Sequence, residues 1–366
     1  MCNWAAATAI SVLIALDAFA QTPAPLKSAA PSPALTPTPT PRPQQLIDSL
    51  GQADLQAAIG LLKSNFTKPE AITDTELNRA TLTGLLVRMP GALVLLPLQP
   101  RGGPAPGESA APFYGEIFEN HIGYARLGAL TGANLKELDK KLAEFSSQKV
   151  DALIVDLRDS ATTDFAVAAD FAKRFCPKGK ALFTLRKPAA RQDRVFNSDR
   201  DPAFQGLTTA LIDGETTGGA EAVATALRFC GKALIIGQPS AGRAVEYSEL
   251  PLPSGTILRV ASAEAVGPNG QSLFPGGVIP DLPVEMPVAE KRQIFRLSTE
   301  KGMARFVYET ERPHLNEAAL IAGTNPELDV AEAQRRNRGR EQQPARDPVV
   351  QRALDLITSL EIYQKR

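Results

Sequence analysis

The stretch LIDGETTGGAEAVATALRFCGKALIIG, residues 211–237, decides the fold of this chain. Its two apolar ends have the pattern of strands, and between them a short turn leads into a helical pattern. Strands that alternate with helices predict an α/β core whose sheets are largely covered. The turn contains Thr216, Thr217, Gly218 and Gly219. A turn between a strand and a helix N-terminus is where such a fold displays a nucleophile, yet this turn offers neither serine nor cysteine.

The same alternation extends on both sides of this stretch. Further strands are predicted at residues 122–130, 152–158, 181–185 and 208–214. Helical stripes separate them, and the clearest consists of Leu135, Leu138, Leu142 and Phe145. Downstream, VEYSELPLPSGTILRVASAEAV at 245–266 predicts a β-hairpin that turns at Pro253-Ser254-Gly255. Residues 111–285 are therefore predicted to form one α/β core domain.

Residues 46–110 are predicted to form a small N-terminal helical element. Its first helix places Leu55, Ile59, Leu62 and Phe66 on one face. Thr73 and Glu76 form a capping box that opens a second helix. A stretch rich in proline and glycine follows, so the boundary with the core is placed near residue 110.

Residues 286–346 are polar and are predicted to be partly disordered. Their arginines at positions 335, 336, 338 and 340 indicate either a solvated linker or a site for an anionic partner. Asp347 and Pro348 then open a C-terminal helix over 347–366, as N-cap and first helical residue. The apolar stripe of this helix requires a surface on which to dock. It consists of Val350, Leu354, Ile357 and Leu360.

Residues 1–20, MCNWAAATAISVLIALDAFA, predict a signal peptide that is cleaved near Ala20. The apolar run from Ala5 to Leu16 is too short to span a bilayer. The first residues lack lysine and arginine, so an uncleaved leader and a misplaced start codon are alternatives. Residues 21–45 are rich in proline and predict an extended linker. Together these segments indicate a periplasmic or secreted protein with no membrane span after cleavage.

The composition argues against a nucleic-acid partner. The chain has 40 lysines and arginines and 40 aspartates and glutamates, and signal cleavage removes only Asp17 from this balance. A charge this close to zero gives no electrostatic reason to bind nucleic acid. No spacing of histidine, cysteine or carboxylate residues indicates a metal site, and no cofactor is expected. The sequence carries no signature of an oligomeric state.

Cys176 and Cys230 are the two cysteines that remain after signal cleavage. Each lies at the end of a predicted helix, shortly before a Gly-Lys pair and a strand. This similarity suggests successive repeats of one unit, which would place the two helix ends side by side. In an oxidising compartment the pair is a candidate for a disulfide, and the alternative is two small buried apolar residues.

The chain closely resembles the core of the C-terminal processing, or tail-specific, serine peptidases in six segments. In order they are IGYARLGAL, ALIVDLRDS, IDGETTGGAEAVATAL, IIGQPSAGRA, ELPLPSGTILRVA and PNGQSLFPGGVIPD. The resemblance implies a crotonase-like core, as in ClpP and crotonase, built of stacked ββα units. The peptide-binding PDZ module of that family is missing, because residues 97–115 are too few to hold a domain.

The resemblance also places the family's catalytic positions on residues of the wrong kind. Aligning Glu221 with the end of the family's S-A-S-A-S-E turn puts Gly218 at the nucleophilic serine. The family's spacing puts Arg243 at the general-base lysine and Tyr247 at its supporting glutamine. Glycine has no hydroxyl with which to form an acyl-enzyme, and arginine stays protonated. No catalytic residue is therefore expected.

The family's oxyanion loop, D-L-R-x-N-x-G-G, is DLRDSATT in this chain, at residues 156–163. Thr162 and Thr163 replace its two glycines and resist a positive φ, so the loop is predicted to take another shape. Thr216, Thr217 and Ser240 are nearby hydroxyls, and they are expected to act as caps because no base is near them.

These departures predict an exported, catalytically inactive homologue of the tail-specific peptidases that binds a partner or serves as a scaffold. Gly218 and Gly219 would offer N–H groups at a helix N-terminus. Together with Arg243 and Thr217 they would hold a carboxylate, such as a peptide or protein C-terminus. For Arg243 the alternative is an internal ion pair with Glu215, Glu221 or Glu246. Two other functions remain as alternatives, an active serine-type peptidase or hydrolase with a non-standard nucleophile and a lyase or hydratase.

Overall fold

The computed structural model of the protein describes residues 43–97, 112–307 and 345–364. The chain divides into two compact units, one up to Leu77 and one from Asn78 onward. The predicted signal peptide 1–20, most of the linker 21–45 and the arginine cluster 335–340 lie outside the described residues. No helix in the described ranges is long and apolar enough to cross a bilayer.

The first unit consists of helices. Helix α1 spans Pro43–Ser49, helix α2 spans Gln52–Asn65, and helix α3, Asp74–Arg88, begins in this unit. Helix α1 begins within the last three residues of the predicted linker, which therefore ends before residue 45. Thr73 caps α3 as predicted, because its hydroxyl accepts a hydrogen bond from the Glu76 amide at 3.2 Å. The predicted apolar stripe of α2 is at least 40% exposed at each of its four positions.

The second unit contains two main sheets and the helices that pack on them. In chain order its strands are β1 Leu93–Leu96, β2 Tyr114–Phe118, β3 Ile122–Arg126, β4 Ala152–Asp156, β5 Ala161–Thr162, β6 Ala181–Arg186, β7 Arg194–Asn197, β8 Leu207–Ile212, β9 Thr217–Gly218, β10 Leu234–Gly237, β11 Val245–Pro251, β12 Ile257–Val266 and β13 Leu282–Pro283. Six of them form the larger sheet, in the order β13-β10-β8-β4-β3-β2. All are parallel except β2, which pairs antiparallel with β3 at one edge. The predicted α/β class is confirmed, and the crotonase-like stacking of ββα units stays a prediction.

Helices cover both faces of the six-stranded sheet. They are α4 Gly132–Ser147, α5 Phe165–Ala172, α6 Gly219–Phe229, α7 Val288–Lys301 and α8 Pro348–Gln364. On strand β4, Leu153 and Val155 pack in the cluster that contains α4, α5 and α6. Ala152 and Ile154 pack in the opposite cluster with α7 and α8. Because both faces are buried, the central strands are mostly apolar rather than alternating, and this made them visible in the sequence.

The second sheet is antiparallel and contains β1, β6, β7, β11 and β12. Strands β11 and β12 form the predicted hairpin, and Gly255 supplies the positive φ of 86° at its turn. Strand β1 pairs with β12, with Leu93 opposite Val260. The sequence placed residues 46–110 in a helical element, so this strand is an unpredicted part of the core. Four successive apolar residues have no helical or strand period, and the pairing partner lies far along the chain.

Part of the region predicted to be polar and partly disordered, residues 286–346, is helical. Helix α7 buries Ile294 completely and leaves Lys291 only 2% exposed. Lys291 forms ion pairs with Asp213 and Glu215, which compensate for the burial of its charge. Charged residues outnumber apolar ones on this helix, and they concealed its buried face in the sequence.

The C-terminal helix docks through a buried polar network as well as its apolar stripe. Asp347 caps α8 as predicted, because its Oδ1 accepts from the amides of Val349 at 3.1 Å and Val350 at 3.0 Å. The Arg158 guanidinium bridges two carboxylates, with Nη2 2.8 Å from Asp347 Oδ2 and 2.7 Å from Asp156 Oδ2. None of these three charged side chains is more than 1% exposed. The helix is thereby tied to the end of β4.

Candidate functional site

The turn after strand β8 is held by buried hydrogen bonds. Thr216 is fully buried, and its hydroxyl donates to the Leu157 carbonyl at 2.8 Å. The Asp213 amide donates to the same hydroxyl oxygen at 3.0 Å. The Ala241 amide donates to the Thr216 carbonyl at 3.0 Å, which brings the loop 240–243 against the turn. Thr216 therefore acts as a structural cap, as predicted.

The loop at Thr162 closes over Gly218, the position at which the resemblance predicts the nucleophile. Strand β5 pairs in parallel with β9, and Thr162 lies opposite Gly218. Gly218 has φ of 65°, and a Cβ added to it would lie 2.3 Å from the Thr162 carbonyl oxygen, where real Cβ atoms stay beyond 3.0 Å. At Gly219 an added Cβ would lie 2.5 Å from Thr162 Cγ2. The backbone of this chain therefore occupies the space into which a side chain at position 218 would project.

Thr162 and Thr163 both avoid a positive φ, as their β-branched side chains predict. The positive φ in this loop, 58°, belongs to Asp159. Thr162 is extended in β5, and its Oγ1 accepts from the Asp164 amide at 3.1 Å. This extended conformation is what allows the loop to pair with β9.

A buried carboxylate organises the backbone around the turn. Glu221 is completely buried at the start of α6 and accepts four hydrogen bonds. Its Oε1 accepts from Ser240 Oγ at 2.6 Å and from the Gly242 amide at 2.7 Å. Its Oε2 accepts from the Arg243 amide at 2.8 Å and from the Gly218 amide at 3.0 Å. Burial raises the pKa of this carboxyl above its ordinary value of 4.5, and the four donors oppose that shift.

Glu221 also decides which of the expected ligand-binding groups are available. Because the amides of Gly218 and Arg243 share one oxygen, the structure brings these two positions together, as the resemblance predicted. The expectation that the Gly218 amide is open to a ligand is wrong, since that amide already binds Glu221. Gly219 is buried beneath the Thr162 methyl group and offers no open surface either.

The Arg243 side chain is exposed beside this turn. The three acids considered as its internal partners all bind other groups. Glu215 binds Lys291 and Arg292, Glu246 binds Arg194, and Glu221 binds the four donors described above. Among the described residues no ion pair to the Arg243 guanidinium is present.

Two further hydroxyls lie near the turn. Ser240 is buried, and its hydroxyl donates to Glu221 at 2.6 Å and accepts from the Val278 amide at 2.7 Å. Both hydrogen-bonding functions of Ser240 are therefore in use. Thr217 is partly exposed, and its amide donates to the Ser160 carbonyl at 3.0 Å. Its hydroxyl has no hydrogen-bond partner within the described part of the chain.

Tyr247 lies on β11, away from the turn. Its hydroxyl donates to the Gly91 carbonyl at 2.8 Å, and the Arg259 guanidinium lies 5.8 Å from its ring centroid. Tyr247 thus fastens the segment before β1 to the second sheet and supports no group at position 243.

The histidines do not complete a catalytic arrangement in the described structure. His121 immediately precedes β3, at the opposite end of the parallel strands from Gly218. Its Nδ1 lies 2.8 Å from the Glu119 carbonyl oxygen and its Nε2 3.3 Å from Glu361 Oε2. Ligand atoms of His121, Asp151 and Glu361 lie within 4.8 Å of one another, a grouping that no sequence spacing indicated. His314 lies outside the described residues.

Sequence reasoning missed a group of charges under the turn. Lys291 of α7 binds Asp213 and Glu215, the residues that begin the turn. Burial, together with the nearby carboxylates of Glu215 and Asp213, raises the pKa of Asp159 above its ordinary value of 3.8, while Lys291 opposes the shift. These side chains come from distant segments, and only the Asp-Gly-Glu of the turn itself was visible in the sequence. Their contacts anchor α7 to the turn.

Cys176 and Cys230 are both free thiols, so no disulfide joins them in this structure. Cys176 is completely buried and Cys230 is partly exposed. The Cys176 thiol contacts the Ala226 carbonyl oxygen at 3.5 Å, and the Cys230 amide donates to that same oxygen at 2.8 Å. The two helix ends therefore do lie side by side.

Comparison with curated proteins finds processing proteases over the core. A carboxyl-terminal-processing protease of Synechocystis is 24% identical over 173 residues, which cover 47% of this chain and 40% of that protein. A carboxy-terminal-processing protease of Bartonella bacilliformis is 29% identical over 180 residues, 47% of this chain and 41% of that protein. The chain thus spans about two fifths of the length of these relatives.

Solved structures of related proteins align over a similar region. A putative peptidase from Parabacteroides merdae has a TM-score of 0.48 at 15% identity, covering 67% of this chain and 85% of that one. The photosystem II D1 C-terminal processing protease has a TM-score of 0.41 at 20% identity, covering 53% of this chain and 47% of that one. The sequence model of peptidase family S41 matches residues 121–284. Residues 121–284 of this chain therefore match peptidase family S41, which agrees with the resemblance to the C-terminal processing peptidases.

Proposed function

We propose that this chain is an exported member of family S41 that binds peptide or carboxylate ligands, or serves as a scaffold, without cleaving peptides. One observation carries the proposal. The Thr162 carbonyl oxygen lies where the side chain of residue 218 would project, at 2.3 Å from an added Cβ. A peptidase that forms an acyl-enzyme needs a hydroxyl or thiol at its nucleophile position. Position 218 has neither that group nor the space for it.

The groups around Gly218 support the same proposal. Arg243 stands where the general base is expected, and a guanidinium does not accept a proton in proteins. The hydroxyls of Thr216 and Ser240 are both engaged in buried hydrogen bonds. A nucleophile requires an adjacent base for activation. Ser240 does donate to the Glu221 carboxylate, but this pair is buried, and the partly exposed Thr217 hydroxyl has no base beside it among the described residues.

The ligand is proposed to be a carboxylate, held by side chains rather than by the buried turn amides. Arg243 is exposed, and among the described residues it has no ion-pair partner. Thr217 is partly exposed on the neighbouring strand β9. A guanidinium binds a carboxylate through charge-assisted, bidentate hydrogen bonds, and a hydroxyl donates one more. A peptide or protein C-terminus supplies such a carboxylate, so we propose it as the partner, with no cofactor.

We further propose a fold for the core domain and a cellular location for the protein. The core is a crotonase-like domain of stacked ββα units, and the leader of residues 1–20 is cleaved near Ala20. The linker 21–45 then tethers a periplasmic or secreted protein. Amino-terminal sequencing of protein recovered from the exporting cell tests the cleavage directly, and a mature chain that still begins at Met1 contradicts it.

The absence of cleavage is tested with an activity-based probe. We expect no covalent labelling by a fluorophosphonate, and no hydrolysis of quenched peptides that end in a free carboxylate. A catalytically competent C-terminal processing protease, assayed in parallel, controls for the probe and the peptides. Labelling of this chain, located by mass spectrometry of its peptides, would overturn the inactive assignment.

The alternative is a serine-type peptidase or hydrolase with a non-standard nucleophile. Thr217 favours it to a limited extent, because its hydroxyl is partly exposed and has no acceptor within the described ranges. Labelling that maps to Thr217 and disappears in Thr217→Val would support this alternative. Labelling at Ser240 would require the Glu221 hydrogen bonds to open first.

Carboxylate binding is tested by titration with matched peptides, one with a free C-terminus and one with a C-terminal amide. We expect the free acid to bind more tightly and Arg243→Ala to weaken it by roughly 10- to 100-fold, the value of a charge-assisted hydrogen bond. Arg200→Ala, another exposed arginine, serves as the control and is expected to bind as the wild type does. If the acid and the amide bind equally, or if Arg243→Ala binds the free acid as tightly as the wild type does, Arg243 is not part of a carboxylate site. Neither result bears on whether the protein hydrolyses peptides.

A further inference from the structure

Two thiols meet where helices α5 and α6 end. Cys176 follows α5 by four residues and is completely buried in the main core cluster. Cys230 is the C-cap of α6 and packs at the edge of the same cluster. The Ala226 carbonyl oxygen receives both the Cys176 thiol at 3.5 Å and the Cys230 amide at 2.8 Å. The Cys176 thiol and the Cys230 backbone therefore meet at the same carbonyl oxygen.

The two cysteines differ in accessibility and in acidity. Cys230 is partly exposed, and its Sγ lies 3.0 Å from the Ala181 carbonyl oxygen at the start of β6. The neighbouring Cys176 thiol, with the nearby Lys180 charge, lowers the pKa of the Cys230 thiol against the opposing effect of burial. The neighbouring Cys230 thiol and complete burial raise the pKa of Cys176. A thiolate is the attacking species in thiol–disulfide exchange, so Cys230 is the residue suited to react first.

We propose that Cys230 and Cys176 form a thiol–disulfide exchange pair, in which Cys230 attacks an external low-molecular-weight disulfide and Cys176 resolves the adduct. The inference is independent of the proposed ligand site, because it depends only on the contact between α5 and α6. Its product is an intramolecular Cys176–Cys230 disulfide, which the oxidising compartment of an exported protein would favour.

The reaction balances in two steps. The Cys230 thiolate attacks one sulfur of oxidised glutathione, which forms a protein–glutathione mixed disulfide and releases one glutathione thiolate. Cys176 then loses its proton to water and attacks the Cys230 sulfur, which releases the second glutathione thiolate. Overall, two protein thiols are oxidised to one disulfide, and one glutathione disulfide is reduced to two thiols.

The disulfide would stabilise the folded core by closing a long loop of the chain. Residues 176 and 230 enclose strands β6, β7, β8 and β9 together with helix α6. Closing a loop of this size restricts the unfolded chain far more than the folded one, in which the two helix ends already lie side by side. Oxidation is therefore expected to raise the thermal midpoint by roughly 5–10 °C.

The test uses the full chain with Cys2→Ser, so that only the two core cysteines report. After incubation with oxidised glutathione, thiol counting and mass spectrometry of tryptic peptides are expected to show loss of both thiols and a Cys176–Cys230 disulfide. Cys176→Ser should accumulate the glutathione adduct at Cys230, and Cys230→Ser should react at least 10-fold more slowly because the remaining thiol is buried.

Two results would overturn the proposal. One is a native protein whose two thiols persist under conditions that oxidise the urea-unfolded chain. The other is a Cys230→Ser variant that forms the adduct as fast as Cys176→Ser. Far-UV circular dichroism checks that each serine variant folds. If one does not, the peptide map and the thermal midpoint of the oxidised chain with both core cysteines still distinguish an internal Cys176–Cys230 disulfide from two separate glutathione adducts.

Discussion

Replacing Gly218 by serine supplies a hydroxyl where the resemblance predicts the nucleophile, and we expect this change to destabilise the fold. Gly218 has φ of 65° and ψ of −126°, a conformation that costs a residue with a side chain about 1–3 kcal/mol. The added Cβ would also lie 2.3 Å from the Thr162 carbonyl oxygen, so β5 and β9 have to separate. Overpacking of this kind costs about 1–3 kcal/mol. The expected loss is about 2–6 kcal/mol, out of a total stability on the order of 5–15 kcal/mol.

The measurement is urea unfolding followed by far-UV circular dichroism, because the single tryptophan, Trp4, lies in the predicted leader and would not report on the core. Gly214→Ser is the matched control. Gly214 lies in the same turn, is exposed, has no positive φ, and an added Cβ would meet no atom within 4 Å. Its free energy of unfolding is expected to change by no more than about 0.5 kcal/mol. A Gly218→Ser variant as stable as Gly214→Ser would refute the role assigned to Thr162.

The remaining predictions concern activity, the C-terminal helix and pH. The double variant Gly218→Ser, Arg243→Lys is expected to cleave no peptide substrate, because the Thr162 carbonyl still occupies the space at residue 218. Hydrolysis at a rate typical of the family would show that this space is open to a side chain. Asp347→Ala should lower the free energy of unfolding by about 3–5 kcal/mol, since it leaves part of the buried Arg158 charge unpaired. The exposed Asp355→Ala on the same helix is its control and should cost less than about 0.5 kcal/mol. The Glu119 carbonyl, aided by Glu361 and Asp151 and opposed by burial, raises the pKa of His121 above its ordinary 6.5. Protonated His121 therefore contributes stability that is complete below pH 6.5 and is lost as the pH rises through the raised pKa. His121→Gln should remove this part of the pH dependence of the free energy of unfolding, measured between pH 6 and 9.

The order of elements in the core could be predicted because each one buries a regular face. Strands β3, β4 and β8 are mostly apolar and have helices on both sides, and α4 carries Leu138, Leu142 and Phe145 at helical spacing, all buried. Two of the elements that escaped prediction did so for the same reason. Strand β1 has no period of its own, and α7 buries Lys291 and Ile294 among many exposed charges. Their identity depends on partners that are remote in sequence.

The side-chain chemistry of residues 218 and 243 was determined by the sequence alone. A glycine at position 218 has no hydroxyl, and an arginine at position 243 stays protonated, whatever surrounds them. The tertiary structure alone decided what takes the place of that chemistry. The Thr162 carbonyl fills the space at Gly218, Glu221 binds the turn amides, and Arg243 is left exposed. The physical reason is that side-chain chemistry belongs to each residue type, whereas every residue carries the same backbone amide and carbonyl. Which of these groups meet is settled only when β5, β9 and the loop 240–243 pack together.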